Sequence, residues 1–121
     1  GCGRIFEGTP QQLYESLQTL SQLPDDTLIY CTHEYTLSNI RFARTVDTEN
    51  PKLIELEITA QTLCNQNIPT IPTTLALEKA VNPFLRCNQQ AIANSVRNYS
   101  AQSLLDPLSV FTVLREWKNN F

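Results

Sequence analysis

The chain has 121 residues, of which 41% are hydrophobic, and nine lysines and arginines stand against twelve aspartates and glutamates, giving a net charge of −3. This length suits a single domain or part of a larger protein, and the negative balance argues against nucleic acid as a partner. No stretch approaches the roughly 18 apolar residues of a membrane span, so no membrane partner is expected. The start, Gly1-Cys2-Gly3-Arg4, lacks Met and the pattern of a signal peptide, so we expect it to be a cut end.

The cysteines are widely separated and form no Cys-x-x-Cys pair, which argues against a structural zinc knuckle. They lie at Cys2, Cys31, Cys64 and Cys87. Free thiols, and hence a reducing compartment such as the cytoplasm, are therefore expected, although an even number leaves disulfides open.

The first predicted element is a helix that begins at Thr9-Pro10, because a threonine cap, a proline at the first helical position and Gln12 complete a capping box. Pro24 ends this helix, and Thr27–Cys31 has the β-branched and aromatic character of a short buried strand. A single strand has no partner for its backbone groups, so we expect a sheet supplied from upstream.

After His33 every periodic segment predicts a helix, except that Ile68–Pro72 must be extended because its two prolines disfavour helical geometry. The predicted caps or first residues of these helices are Thr36, Asn50, Leu75, Asn88 and Asp106. The sequence therefore predicts an α/β remnant up to about Cys31, followed by an all-helical module of four or five helices.

His33 is the single histidine of the chain and directly follows the predicted strand. Reactive groups in α/β proteins often lie at the carboxyl end of a strand, where the sheet fixes the backbone and the loop exposes the side chain. A lone histidine is also commonly an ordinary surface or core residue. A catalytic zinc site needs about three protein ligands plus water, so His33 could be at most one ligand of such a site.

Arg115 and Lys118 lie three positions apart on the last predicted helix, so both side chains project from one face and could grip one carboxylate together. The alternative is a solvated face near a helix end, where cations are favourable to the helix dipole.

Four successive segments resemble landmarks of bacterial glyoxalase II, in that family's order and at similar spacing. They are Gly1-Cys2-Gly3-Arg4-Ile5-Phe6-Glu7-Gly8-Thr9, Cys31-Thr32-His33-Glu34-Tyr35-Thr36, Asn82-Pro83-Phe84-Leu85-Arg86 and Arg115-Glu116-Trp117-Lys118. The resemblance implies the end of a metallo-β-lactamase αββα sandwich over residues 1–33 and an all-α substrate-binding domain over residues 34–121. It further implies a missing amino-terminal half, which in this family carries the Thr-His-x-His-x-Asp-His motif.

The implied activity of the complete, monomeric and cytoplasmic enzyme is hydrolysis of S-D-lactoylglutathione to glutathione and D-lactate, a step of methylglyoxal breakdown, with two divalent metal ions, zinc, iron or manganese. By the resemblance, His33 is a metal ligand, and no residue of this chain is itself catalytic. The same resemblance assigns substrate binding to Arg4, Phe6, Tyr35, Arg115 and Lys118. The chain by itself is expected to be inactive and to hold no metal.

This sequence departs from the family at three of these positions: Phe6 replaces a tyrosine of some members, Arg4 a lysine, and Thr32 a glycine. Phe6 can then contribute only ring packing, and Arg4 keeps the charge with another geometry. Two alternatives remain open at this stage. One is another hydrolase or a sulfur dioxygenase of the metallo-β-lactamase fold, and the other is a helical interaction module in which His33 is incidental.

Overall fold

The structure is a computed structural model that describes residues 1–103 and 106–121. These residues form mainly helix, in the order α1 (Pro10–Leu20), β1 (Leu28–Ile29), α2 (Thr36–Val46), α3 (Pro51–Asn65), β2 (Thr73–Thr74), α4 (Leu75–Val81), a 3₁₀ turn (Pro83–Leu85), α5 (Gln90–Ser100) and α6 (Pro107–Asn119). The helical module predicted after His33 is therefore present, with five α-helices in its described part.

Four helices begin where the sequence predicts, namely α1, α3, α4 and α6, and three of these starts share one pattern. At α1 the Thr9 hydroxyl accepts a hydrogen bond from the Gln12 amide, and the Gln12 side chain accepts one from the Thr9 amide, which completes the capping box. Asn50 caps α3, and Asp106 caps α6 through the Ser109 amide. Each of these three starts combines such a cap with proline at the first turn, so local chemistry alone is enough to fix it.

The predicted caps at Thr36 and Asn88 are wrong by one position. The N-cap of α2 is Tyr35 and that of α5 is Gln89, and neither makes a capping hydrogen bond with its side chain. The Thr36 hydroxyl instead lies against the hydroxyl of Thr70, so a tertiary contact occupies it.

The strand predicted at Thr27–Cys31 is shorter than expected and has a partner within the chain. Leu28 and Ile29 pair antiparallel with Thr74 and Thr73, respectively. The pairing continues into the start of α4, where the Leu75 amide donates to the Thr27 carbonyl over 2.9 Å. Leu28 is nevertheless 54% exposed, so the predicted burial of this strand is not found within the described chain.

The core lies between the helices in two clusters. The larger one joins α2, the 3₁₀ region, α5 and α6, and its buried residues are Phe42, Val46, Phe84, Cys87, Ile92, Ala93, Val96, Val110, Phe111 and Leu114. Helix α1 packs on this cluster and on α6 with the partly buried Leu13, Tyr14 and Leu17. The smaller cluster joins α2, α3 and α4 through Ile40, Ala43, Leu53, Ala60 and Val81. Phe42 of α2 and Phe84 of the 3₁₀ turn stack with ring centres 6.1 Å apart beneath one end of α6.

None of the helices in the described part of the chain is both long enough and apolar enough to cross a membrane.

Candidate functional site

The last helix places a buried guanidinium against the first residues of the chain. Arg115 on α6 is only 4% exposed. Its Nη1 donates to the Cys2 carbonyl over 2.8 Å and to the Gly3 carbonyl over 3.2 Å. Its Nε donates to Oδ1 of Asn119 over 3.0 Å, and its central carbon lies 5.2 Å from the centre of the Phe84 ring. The guanidinium thus lies between main-chain oxygens, an amide and the face of an aromatic ring, an arrangement that arginine favours.

Lys118 lies one turn further along α6 and is half-buried. Its ammonium donates to Oδ1 of Asn39 on α2 and lies 5.8 Å from the ring centre of Phe84 and 6.0 Å from that of Phe42. Burial lowers the pKa of Lys118, and the nearby charge of Arg115 lowers it further. The charged form of this lysine is therefore less stable here than in water.

The two cations have no carboxylate partner among residues 1–103 and 106–121. The ion pairs there are Arg44–Glu57, Lys52–Glu55, Lys79–Asp25 and Arg86–Asp47. Buried charges are normally paired, because their desolvation is costly. A buried and a half-buried cation side by side, without a counter-charge among the described residues, make this end of α6 suited to an anion such as a carboxylate.

The main chain at residue 1 reaches the same place. Nδ2 of Asn82 donates to the Gly1 carbonyl over 2.9 Å, and a Cβ at Gly1 would come within 2.8 Å of Nζ of Lys118. Asn82 is 6% exposed and also accepts a hydrogen bond from the Phe84 amide over 3.0 Å. A Cβ at this position would therefore displace the ends of the Asn39 and Lys118 side chains, so the main chain of residue 1 lies directly against both groups.

His33 and Tyr35 form a second group, at the start of α2. Their rings stack with centres 4.9 Å apart and planes 12° apart, and both side chains are exposed, Tyr35 by 61%. Between them, the Glu34 carboxylate accepts hydrogen bonds from the Thr70 amide, over 3.1 Å, and the Thr70 hydroxyl. These bonds lower the pKa of Glu34 and tie the loop after β1 to the segment before β2.

No group of three or more histidine, cysteine, aspartate and glutamate side chains that could hold a metal ion occurs in the described residues. His33 lies in the segment between β1 and α2, four residues beyond the end of the strand, so the predicted position directly after the strand is not found. Its exposed imidazole has a donor chemistry that fits zinc, iron or manganese as one ligand.

Arg4 and Phe6, the remaining predicted residues, lie apart from the end of α6 that carries Arg115 and Lys118, which we call the α6 site. Phe6 is 89% exposed, and Arg4 is exposed beside a shallow cavity of about 240 Å³ at the start of α1, whose walls include Thr9 and Gln12. Within the described part of the chain, no hydrogen bond or ring contact joins Arg4 or Phe6 to Arg115.

Sequence reasoning missed three side-chain amides that build the site, those of Asn39, Asn82 and Asn119. Asn82 belongs to the Asn-Pro-Phe segment, so its position next to a proline gave a signal. Asn39 and Asn119 are ordinary polar positions on α2 and α6, and only the packing of the two helices brings Asn39 to Lys118.

Comparison with known proteins defines the class. Residues 34–121 match the family described as hydroxyacylglutathione hydrolase C-terminus, and the chain belongs to this family. Relatives include proteins named hydroxyacylglutathione hydrolase from Nitrosomonas europaea and Nitrosomonas eutropha, each 60% identical over 121 residues, and from Shewanella halifaxensis, 50% identical. The whole chain is covered in each case, against 46%, 48% and 47% of the relative. The chain thus spans about half the length of the curated relatives it matches.

Proposed function

We propose that this chain is the carboxyl-terminal part of a cytoplasmic, monomeric hydroxyacylglutathione hydrolase that converts S-D-lactoylglutathione and water into glutathione and D-lactate. The family match and the names of relatives at 50–60% identity support the reaction. The observation that carries the proposal for this chain is the pair of cations on α6, Arg115 and Lys118, which have no carboxylate partner among the described residues. Glutathione supplies carboxylates of the matching charge.

The placement of the residues supports one assignment of their roles. The α6 site would bind a glutathione carboxylate through Lys118, with Arg115 beside it, and the exposed ring of Tyr35 and the side chains of Arg4 and Phe6 would line the path to the reacting thioester. Phe6 has no hydroxyl, so it would contribute packing only. A carboxylate held in this way anchors the substrate in the ground state and the transition state alike.

His33 would hold one of two divalent metal ions, zinc, iron or manganese, together with ligands from an amino-terminal metallo-β-lactamase half. When bound, such a pair of ions supplies a hydroxide at neutral pH and polarises the thioester carbonyl. The stacked ring of Tyr35 and the Glu34–Thr70 bonds on the next residue would hold the His33 loop in place. We place the boundary between the two domains at residues 33 and 34, which the start of the family match at residue 34 supports.

The test is steady-state kinetics of the complete enzyme on S-D-lactoylglutathione. A hydrogen bond to a charged group contributes roughly 1.5 to 3 kcal/mol, so Lys118→Met should lower kcat/KM by roughly 10- to 150-fold, mainly through KM. Lys52→Met, the same change at an exposed lysine of α3, is the matched control and should leave KM unchanged.

A substrate in which one carboxylate is replaced by an amide identifies the contact. If Lys118 binds one carboxylate of glutathione, converting that carboxylate to an amide should raise KM for the wild type and leave little further loss for Lys118→Met, because the two changes remove the same interaction. An unchanged KM in Lys118→Met would contradict the anchoring role, and a wild-type enzyme without thioesterase activity would contradict the reaction.

A further inference from the structure

Arg115 and Lys118 donate hydrogen bonds to different acceptors. Nη1 of Arg115 donates to the carbonyls of Cys2 and Gly3, and Nε donates to the side chain of Asn119. Two of the three guanidinium nitrogens are therefore engaged within the chain. The ammonium of Lys118 donates to the amide oxygen of Asn39 and to neither of these carbonyls.

Residues 1–8 form no helix or strand, and in the described residues the backbone-to-backbone hydrogen bonds start only with the Thr9 carbonyl. Carbonyl groups without a main-chain partner take their donors from side chains or water. The carbonyl of Gly1 takes its donor from Asn82, and those of Cys2 and Gly3 take theirs from Arg115. Three successive peptide groups are thus held by two buried side chains.

We infer that Arg115 is also a positioning residue, whose guanidinium fixes the main chain of residues 1–3 and thereby sets where Arg4 and Phe6 emerge. This inference rests on the proposed function for the role of Arg4 and Phe6. The anchoring of the segment itself stands on the contacts of Arg115 alone.

The partly buried thiol of Cys2 reports this anchoring directly. Its Sγ lies 3.6 Å from Nη1 of Arg115, and it packs at the edge of the larger core cluster, whose centre includes the thiol of Cys87. If residues 1–3 detach, Cys2 becomes accessible to a thiol reagent while Cys87 stays enclosed. General unfolding would expose both thiols, so the ratio of the two labelling rates separates the two cases.

The experiment labels the complete protein with iodoacetamide and follows each cysteine by mass spectrometry. Arg115→Met removes the donors at similar length and should speed labelling of Cys2 by roughly 10- to 150-fold, the range for one hydrogen bond to a charged group, with Cys87 unchanged. Lys118→Met should change neither rate. Arg115→Lys retains the charge but lacks the separate Nε donor to Asn119 that orients Nη1 toward the two carbonyls, so it should restore Cys2 protection only in part.

Kinetics then tests how the anchor acts. If Arg115 works by placing Arg4, the loss of kcat/KM caused by Arg115→Met should be much smaller in an Arg4→Ala background than in the wild type. The inference is overturned if Cys2 labelling does not change, if Cys87 labelling rises with it, or if the losses from Arg4→Ala and Arg115→Met simply multiply. The labelling needs no substrate, so it decides the anchoring even if the enzyme proves to act on another thioester.

Discussion

The carboxylate of Asp47 lies 3.4 Å from the guanidinium of Arg86, and both side chains are largely enclosed where the end of α2 meets the 3₁₀ turn. Asn50 completes this junction. Its Nδ2 donates to Oδ2 of Asp47 and to the Ala80 carbonyl, each over 2.8 Å, and its Oδ1 caps α3. One amide side chain therefore links α2, α3 and α4.

Replacing this amide tests the junction. Asn50→Ala removes the cap of α3 and leaves Asp47 with one donor fewer, so the free energy of unfolding should fall by about 2 to 4 kcal/mol, as a lost cap and a lost buried hydrogen bond to a charged group would combine. Urea unfolding of the chain measures this change. Gln61→Ala, on the exposed side of the same helix, should stay within about 0.5 kcal/mol of the wild type. Equal effects of the two variants would show that the junction contributes nothing.

The half-buried ammonium of Lys118 should lower the stability of the folded chain. Burial lowers its pKa below 10.5, so the unfolded chain binds this proton more tightly than the folded chain does. The loss of stability is full at pH values below the lowered pKa of Lys118. It decreases as the pH rises through that pKa, because the folded chain then loses the buried charge. Lys118→Met should therefore raise the melting temperature at neutral pH, and its advantage should shrink in alkaline buffer. A variant that is less stable than the wild type at neutral pH would contradict this sign, and Lys52→Met is the control.

The enclosed ring of Phe111 should dominate the attachment of α1. It is fully buried, and its centre lies 5.4 Å from the ring of Tyr14 on α1 and 5.7 Å from that of Phe84. Phe111→Ala should lower the free energy of unfolding by about 3 to 5 kcal/mol. Phe6→Ala, at a ring that is 89% exposed, is the matched control and should cost little. Denaturation followed by Trp117 fluorescence would record both, and a loss below that of the control variant would refute the packing argument.

The 121-residue chain by itself should bind no stoichiometric metal, because a catalytic site needs about three protein ligands and His33 is one. Elemental analysis after dialysis against zinc checks this, with His33→Ala as the control of equal size and fold. One zinc per chain in the wild type, lost in the variant, would show that the chain builds a metal site of its own.

Local chemistry made part of this fold predictable. The starts at Thr9, Asn50 and Asp106 depend on a cap and a following proline, all within four residues, so the sequence specifies them fully. The partner of β1 was not predictable, because Leu28 and Thr74 are brought together only after α2 and α3 have folded back. A two-residue pairing also leaves no periodic pattern to recognise.

The candidate site, too, could be predicted from the sequence only in part. Helical spacing predicts that Arg115 and Lys118 share a face, but it carries no information on which acceptors each side chain reaches. The acceptors of Arg115 are the carbonyls of Cys2 and Gly3, which every residue type has, so no sequence pattern marks them. The stacked rings of His33 and Tyr35 are only two residues apart, but this spacing does not by itself predict stacking.

The bond between Arg115 and the Cys2 carbonyl joins positions 113 residues apart. At roughly 5 to 20 residues per second, a ribosome needs roughly 6 to 23 s to make the chain between them. During that interval the first residues have no guanidinium to hold them, and they depend on whatever else has already folded. A stop codon between His33 and the start of α6 would therefore remove α6 and leave the first residues without this anchor, although the region around His33 would be translated without error.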